Sequence, residues 1–383
     1  MAYGTINADV IQSSVSGVSL GAGNATSFKN RIINGQMQIA QRSVGPVTNS
    51  TSNTSLLYDC MDRWGYWSQS GSLFSTQQSS VAPVGFSNSV LITSLAASTI
   101  GSTFYAQYSQ RIEAFNYSDL MWGTANAKTI TVSFWVRSSL TGTFSGYIFN
   151  NGYQYCYPFN YTISSANTWE QKSITIAGPT AGTWATTGNN IGLEIGLTLG
   201  AGSNYIGTPN TWTASNFIIA GTGATNLLAT NGATLYMTGF QVEVGSSATG
   251  FDYRSYGTEL ALCQRYYFQS PNINNNTQFY AIHGYVASGG NVRWFFKIPV
   301  PMRTTPSIAL NPVYNTGTWY ANLTGIDNFA FTAAPSIGNY DGGLQLSISQ
   351  NISAISASYY TFNVILYPVT GLNTNNFQIS AEL

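Results

Sequence analysis

The chain has 383 residues, and its 13 lysines and arginines balance 13 aspartates and glutamates. Only 7% of the residues are charged, against about 25% in ordinary soluble domains, whereas 44% are hydrophobic and 14% are aromatic. This composition excludes a disordered chain. The lack of a basic cluster and of an apolar run of membrane-spanning length argues against nucleic acid or membrane insertion.

The first 28 residues are small and polar, and they predict a segment that cannot form a core alone. From residue 30 onwards, short alternating runs separated by Gly, Asn, Pro and Ser indicate strands and turns. Such short strands at regular spacing are typical of an antiparallel sandwich or jelly roll. The runs that predict strands in this part are 129–137, 147–149, 172–176, 191–199, 217–220 and 234–244.

Residues 258–267 interrupt the strand pattern. They are good helix formers, Thr258 is a candidate N-cap and Glu259 adds an acid to the first turn. Apolar residues recur there at three- and four-residue steps, which predicts a short helix. The strands predicted after it are 280–286, 291–298, 306–310, 343–349 and 359–366.

We therefore predict an all-β protein with a short helix between two β units. Residues 1–28 form an N-terminal segment, residues 29–255 an antiparallel sandwich or jelly roll, and residues 256–383 a second, smaller β-sandwich. No repeat with a period of 20–50 residues occurs, which weighs against a long β-helix or a propeller.

Few residue types suited to catalysis or metal binding are present. His283 is the single histidine, and its alternating surroundings favour a structural strand position. Three widely spaced cysteines form no metal motif and predict reduced, buried side chains. They are Cys60, Cys156 and Cys263.

Two carboxylate pairs lie close in sequence, Asp59 with Asp62 and Glu113 with Asp119. A glycosidase needs two acids about 5 to 9.5 Å apart across the sugar. Neither pair accompanies a nucleophile elbow, a phosphate loop or a dinucleotide fingerprint. We therefore expect a non-enzyme with no catalytic residue, no cofactor and no metal.

An ordered set of motifs runs from residue 29 to residue 267: 29–42 (KNRIINGQMQIAQR), 62–64 (DRW), 110–113 (QRIE), 133–137 (SFWVR), 236–245 (YMTGFQVEVG), 248–255 (ATGFDYRS) and 263–267 (CQRYY). The set resembles a family of bacteriophage tail fibre and receptor-binding proteins, especially those of phages that infect cyanobacteria and other aquatic bacteria. Gln36 and Met37 stand where the family usually has Asp and Phe. Residues 295–306 (FFKIPVPMRTTP) resemble a recurrent strand of the fibre tip.

The resemblance implies a carbohydrate-binding-module-like jelly roll in a virion fibre, usually a homotrimer, followed by a distal tip. It implies that residues 1–28 attach to a phage tail or baseplate protein and that the receptor is a host cell-surface polysaccharide. The charged residues of the motifs have a structural interpretation, because charges this scarce are best used in ion pairs or backbone contacts. They are Asp62, Arg63, Arg111, Glu113, Arg137, Glu243, Asp252 and Arg254.

Aromatic residues on loops are candidates for stacking against sugar, whereas those alternating within strands favour core or interface positions. Two segments, 311–322 and 337–342, look like loops that contact the receptor, with packing between protomers as the alternative. The candidate contacts are Tyr314, Trp319, Tyr320, Asn339, Tyr340 and Asp341. Predicted as core or interface are Phe134, Trp135, Trp294, Phe295 and Phe296, and as a half-buried strand face Tyr153, Tyr155 and Tyr157.

Two other functions remain open at this stage. A tailspike-type depolymerase would cut host polysaccharide, although such enzymes usually carry a long β-helix with an acid-lined groove. A purely structural tail or baseplate connector would leave receptor binding to another virion protein.

Overall fold

A computed structural model describes the backbone of residues 29–49, 53, 55–69, 73–214, 217–270, 279–287, 291–311, 319–323, 328–330, 336–340, 345–351, 361–368 and 376–383. Within these ranges, side chains are described up to residue 270, over 298–309 and from 378 onwards. The N-terminal segment of residues 1–28, with its predicted attachment role, lies outside the described residues.

Two antiparallel sheets and one short parallel pair precede the helix. The strands are β1 (Val47–Asn49), β2 (Gly65–Ser68), β3 (Phe74–Ser79), β4 (Ser89–Ser94), β5 (Tyr105–Glu113), β6 (Ile130–Ser138), β7 (Gly142–Asn150), β8 (Cys156–Ile163), β9 (Glu170–Ile176), β10 (Ile191–Ala201), β11 (Ile206–Gly207), β12 (Ala220–Gly221) and β13 (Thr234–Val244). The six-stranded sheet has the order β1-β3-β4-β13-β6-β9, and the five-stranded sheet has the order β2-β5-β10-β7-β8. Strands β11 and β12 form the parallel pair.

The two sheets pack face to face as a sandwich. Trp64 stacks on Tyr108 of β5 with 5.8 Å between ring centroids, and it meets Phe240 of β13 at 5.2 Å. Phe134 of β6 meets Tyr161 of β8 at 5.1 Å. Because these buried rings come from both sheets, they form one continuous core, and the predicted all-β sandwich is confirmed.

Most of the predicted strands are present. Residues 234–244 form β13 with the predicted bounds, and 129–137 differ from β6 by one residue at each end. The prediction for 217–220 is wrong, because only Ala220 of that run lies in a strand. Its apolar side chains are explained by burial against the five-stranded sheet and not by ladder pairing.

The predicted helix is confirmed with shifted bounds as α1 (Tyr256–Gln264). Its N-cap is Ser255 and not Thr258, because the Ser255 hydroxyl accepts the hydrogen bond from the Thr258 backbone amide. Tyr267, predicted as helical, begins a strand and pairs with Ser380. Among the described residues no helix is long and apolar enough to span a bilayer.

Two further antiparallel sheets follow the helix. Their strands are β14 (Tyr267–Gln269), β15 (Phe279–Ala287), β16 (Asn291–Lys297), β17 (Ser307–Asn311), β18 (Trp319–Leu323), β19 (Asn328–Ala330), β20 (Ser336–Tyr340), β21 (Gln345–Asn351), β22 (Thr361–Pro368) and β23 (Asn376–Ser380). The three-stranded sheet has the order β14-β23-β17, and the seven-stranded sheet has the order β19-β18-β22-β15-β16-β21-β20. Every strand predicted after the helix is present within two residues of its predicted bounds. That this part is a separate tip domain stays a prediction.

Candidate functional site

The residues predicted to contact a receptor fall on two strands of the seven-stranded sheet. Trp319 and Tyr320 lie in β18, and Asn339 and Tyr340 lie in β20, so their assignment to loops is wrong. Aromatic residues suit a pleated ladder, and these strands pair with β22 and β21. Four strands separate β18 from β20 in the sheet order, so the structure does not place the two sets on neighbouring strands. Two predicted contacts lie outside the described residues: Tyr314 and Asp341.

The charged residues of the sequence motifs have partners inside the protein, as predicted. The partners are Gln41 for Asp62, Glu382 for Arg63, Glu194 for Arg111, Arg265 for Glu113, the Asn167 carbonyl for Arg137, Thr249 for Glu243, Asn30 for Asp252 and Glu259 for Arg254. The three cysteines are reduced and buried, which confirms that prediction. Among the described residues, no group of three or more His, Cys, Asp and Glu side chains could hold a metal ion.

Glu382, near the end of the chain, lies between two arginines of the sandwich. It accepts hydrogen bonds from Arg42 at 3.1 Å and from Arg63, whose side chain is 1% exposed. The Arg63 guanidinium also lies 3.4 Å from the ring centroid of Tyr266 and donates to the Arg111 carbonyl at 2.7 Å. A charge this deeply buried is stable because an opposite charge, an aromatic face and a carbonyl surround it.

Two further arginines bind main-chain carbonyls at the same chain end. Arg111 donates to the Leu383 carbonyl at 2.8 Å, and Arg303 donates to the Glu382 carbonyl at 2.9 Å. Together these residues fix the end of the chain against the sandwich, and we refer to them as the C-terminal clamp: Arg42, Arg63, Arg111, Arg303 and Glu382.

The outer face of the five-stranded sheet is covered by the chain itself. The covering residues belong to 203–214 and 217–224, which we call the cover segment. Its Phe217 ring lies 5.4 Å from Phe149 and 4.9 Å from Trp67, centroid to centroid. The backbone amide of Gly221 donates to the Ser145 hydroxyl at 2.8 Å. The cover segment therefore buries much of this face, while the rings of Trp67, Tyr105 and Phe217 stay partly exposed.

A buried carboxylate under the cover segment has all its partners within the protein. Glu194 is 1% exposed and accepts hydrogen bonds from the Ser109 hydroxyl at 2.9 Å, the Arg111 Nε at 2.9 Å and the Tyr147 hydroxyl at 3.0 Å. The Gln107 amide donates to it at 3.1 Å. This network holds three strands in register beneath the cover.

The three tyrosines predicted to share a strand face separate into two groups. Tyr153 has a φ of +61° in a turn and meets Phe217 at 5.6 Å. Tyr155 stacks on Trp212 at 5.6 Å, and Tyr157, which is the only one of the three in a strand, meets Trp212 at 4.9 Å. The prediction of one strand face is wrong, because the turn before β8 directs Tyr153 towards Phe217, whereas Tyr155 and Tyr157 contact Trp212.

The outer face of the six-stranded sheet also carries partly exposed aromatic rings. Arg137 of β6 pairs with Tyr236 of β13, and its guanidinium lies 5.1 Å from the centroid of that ring. Trp169, which directly precedes β9, meets the same ring edge-on at 6.1 Å. The Arg137 Nε donates to the Asn167 carbonyl at 2.8 Å. These contacts fix the guanidinium beside the Tyr236 ring, which in turn contacts Trp169.

Trp135 extends this face towards the bulge of β13. Phe134 is buried in the core as predicted, but the neighbouring Trp135 is partly exposed, because successive strand residues point to opposite faces. Gly239 has a φ of +61°, and a Cβ there would lie 2.7 Å from the Phe86 ring and 3.1 Å from the Trp135 ring. The space left by this glycine therefore brings the two rings together.

Two more rings continue the surface beyond Phe86. Phe251 lies 5.1 Å and Tyr253 lies 5.6 Å from the Phe86 ring centroid, and Tyr253 is 56% exposed. We refer to the resulting continuous surface as the aromatic strip: Phe86, Trp135, Arg137, Trp169, Tyr236, Phe251 and Tyr253. Sequence reasoning did not identify this strip as a candidate binding surface. The signal present in the sequence was alternation, which puts Trp135 and Arg137 on the face opposite to Phe134.

No protein-family model and no curated protein matches the sequence. Solved structures that are similar to the chain include the enzymatically active domain of tailspike protein 4 from bacteriophage CBA120, at 12% identity and a TM-score of 0.29. That match covers 56% of this chain and 21% of the tailspike chain. A putative sugar-binding protein from Bacteroides thetaiotaomicron is 12% identical with a TM-score of 0.33, over 56% of this chain and 100% of that chain. A family 11 carbohydrate-binding module from Clostridium thermocellum, in complex with a mixed-linked tetrasaccharide, is 13% identical with a TM-score of 0.27, over 54% and 99% of the two chains.

Proposed function

We propose that this protein is a non-catalytic tail fibre component of a phage virion that binds a host cell-surface polysaccharide through the aromatic strip. One observation carries the proposal: the strip is a run of partly exposed rings beside a guanidinium on the outer face of the six-stranded sheet, where Tyr253 is 56% exposed. Flat rings stack against the C–H faces of sugars, and the guanidinium of Arg137 can donate hydrogen bonds to oxygen atoms of the sugar.

The motif resemblance supports the assignment to a fibre and the proposed homotrimer. Three copies per fibre would raise the effective concentration of a weak sugar site and give firm adhesion. Attachment to a tail or baseplate protein through residues 1–28 belongs to the same proposal. Light scattering of the purified protein tests the trimer, and a monomer at every concentration would contradict it.

Binding of purified host-envelope polysaccharide to single-site variants tests the strip. We expect Tyr253→Ala and Trp135→Ala to lower the affinity about tenfold, as the loss of a stacking aromatic at a binding site does. Phe115→Ala is the matched control, because Phe115 is 58% exposed and lies outside the strip. Equal affinities for all three variants and the unmodified protein would reject the strip as the binding surface.

The same polysaccharide separates adhesion from the alternatives. Size-exclusion chromatography after incubation should show chains of unchanged length, and shortened chains would establish a depolymerase. If Tyr320→Ala and Tyr340→Ala abolish binding while the strip variants do not, the receptor site lies at the residues that the sequence predicted, and on the seven-stranded sheet. A protein that binds no host polysaccharide, although the phage adsorbs through another virion protein, is the structural connector.

A further inference from the structure

The arginines of the described residues differ in their partners. Six of them lie within 4 Å of a carboxylate: Arg31, Arg42, Arg63, Arg111, Arg254 and Arg265. Arg303 has no carboxylate within that distance among the described residues, but it donates to main-chain carbonyls of the C-terminal clamp. Arg137 has none either, and it lies on the aromatic strip, where it is partly exposed. In a protein with so few charges, an arginine left unneutralised on a binding face needs an explanation.

The side chain of Arg137 is held in place from one side. Its Nε donates to the Asn167 carbonyl, and the Asn167 backbone amide donates to the Ser138 carbonyl at 2.6 Å. The Tyr236 ring lies beside the guanidinium. The Nη1 and Nη2 atoms form no hydrogen bond with the described residues. The two terminal NH2 groups of the guanidinium are therefore presented to solvent in a fixed orientation.

The nearest acid on the neighbouring strand does not neutralise this charge. Glu170 lies opposite Val136 in the β9 register, and Val136 faces the core, away from the side chain of Arg137. The Glu170 carboxylate accepts hydrogen bonds from the Lys172 ammonium at 2.6 Å and from the Ser164 backbone amide at 2.8 Å. Glu170 is therefore occupied by partners of its own.

We propose that the Arg137 end of the aromatic strip binds a carboxylate-bearing sugar, such as a uronic acid unit of the host polysaccharide. The Nη1 and Nη2 groups match the two oxygens of a carboxylate in a bidentate pair, while Tyr236 and Trp169 border the sugar ring. This inference rests on the proposed function, because it names the class of sugar taken by the same strip.

The test compares acidic bacterial polysaccharides with the same polymers after chemical reduction of their uronic carboxyl groups to alcohols. Both forms are immobilised on one surface, and binding of the full-length protein is measured. We expect the native forms to bind about tenfold or more tightly than the reduced forms, the factor typical of a charge-assisted hydrogen bond. Added salt should weaken binding to the native forms alone.

Two variants link this preference to Arg137. Arg137→Gln should bind native and reduced forms equally, whereas Arg137→Lys, which keeps the charge but lacks the planar fork, should retain part of the preference. Circular dichroism establishes that both variants are folded. Equal binding of the two forms by the unmodified protein, or an unchanged preference in Arg137→Gln, would overturn the acidic-sugar inference and leave glycan binding intact. Binding to neither form of any polymer would reject the proposed function itself.

Discussion

Replacing Glu382 by glutamine removes the negative charge between Arg42 and Arg63 and leaves the side-chain size almost unchanged. At 3.1 Å and an effective dielectric constant of about 20, the pair with Arg42 alone is worth about 5 kcal/mol before desolvation. Glutamine keeps one acceptor oxygen, and Arg63 keeps the Arg111 carbonyl and the Tyr266 ring. Arg63 would then remain buried without a counter-charge, so we expect a loss of about 3 kcal/mol in the free energy of unfolding.

Equilibrium urea denaturation followed by tryptophan fluorescence measures this loss. The matched control is Glu170→Gln, the same substitution in the ion pair with Lys172 on the edge strand β9, where we expect a loss of less than about 1 kcal/mol. If Glu382→Gln is no more destabilising than the control, the C-terminal clamp contributes little to stability and the reasoning from buried charge is refuted.

Three further predictions concern stability and reactivity. Burial raises the pKa of Asp62 to about 6, although Arg42 opposes the shift. The free energy of unfolding should therefore fall by about 3 kcal/mol as the pH rises from about 4 to about 6. Urea denaturation of Asp62→Asn over the same pH range should lack this decrease. Gly35→Ala should cost about 3 kcal/mol in thermal or urea unfolding, because its Cβ would collide with the Phe240 carbonyl, whereas Gly101→Ala, with open space around it, should be neutral. Burial raises the pKa of the Cys60 thiol to about 12, and the other two cysteines are also buried. A thiol reagent at pH 8 should therefore leave the native protein unmodified and label all three cysteines in guanidinium. Fast labelling of the native protein would contradict the buried position of the cysteines.

The local features of this fold could be predicted from the sequence, and the long-range ones could not. The bounds of β6 and β13 follow from the alternation of apolar and polar residues over about ten positions, a pattern that lies within a single strand. The pair between Arg63 and Glu382 joins residues 319 positions apart, and no local pattern indicates it. The run 217–220 resembles a strand in sequence because burial against a neighbouring sheet and pairing in a ladder select similar apolar residues.

The candidate site shows the same limit. Trp135 and Arg137 share a face by alternation, which the sequence contains, but Phe86 and Tyr253 join them only through the bulge at Gly239. The aromatic strip is thus assembled from separate segments that lie between residues 86 and 253. Local sequence predicted two receptor-binding loops, 311–322 and 337–342, from their aromatic residues. The structure places four of the predicted contacts on two strands that four other strands separate.

The three-stranded sheet β14-β23-β17 has a mechanical consequence for the proposed fibre. The chain passes between this sheet and the seven-stranded sheet four times, after β14, after β16, after β17 and before β23. Because the chain crosses between the two sheets four times, a pulling load on the seven-stranded sheet is divided among all three strands of the smaller sheet. Because the residues that follow β23 belong to the C-terminal clamp, tension applied at the seven-stranded sheet is transmitted through β23 to the buried arginines of the sandwich.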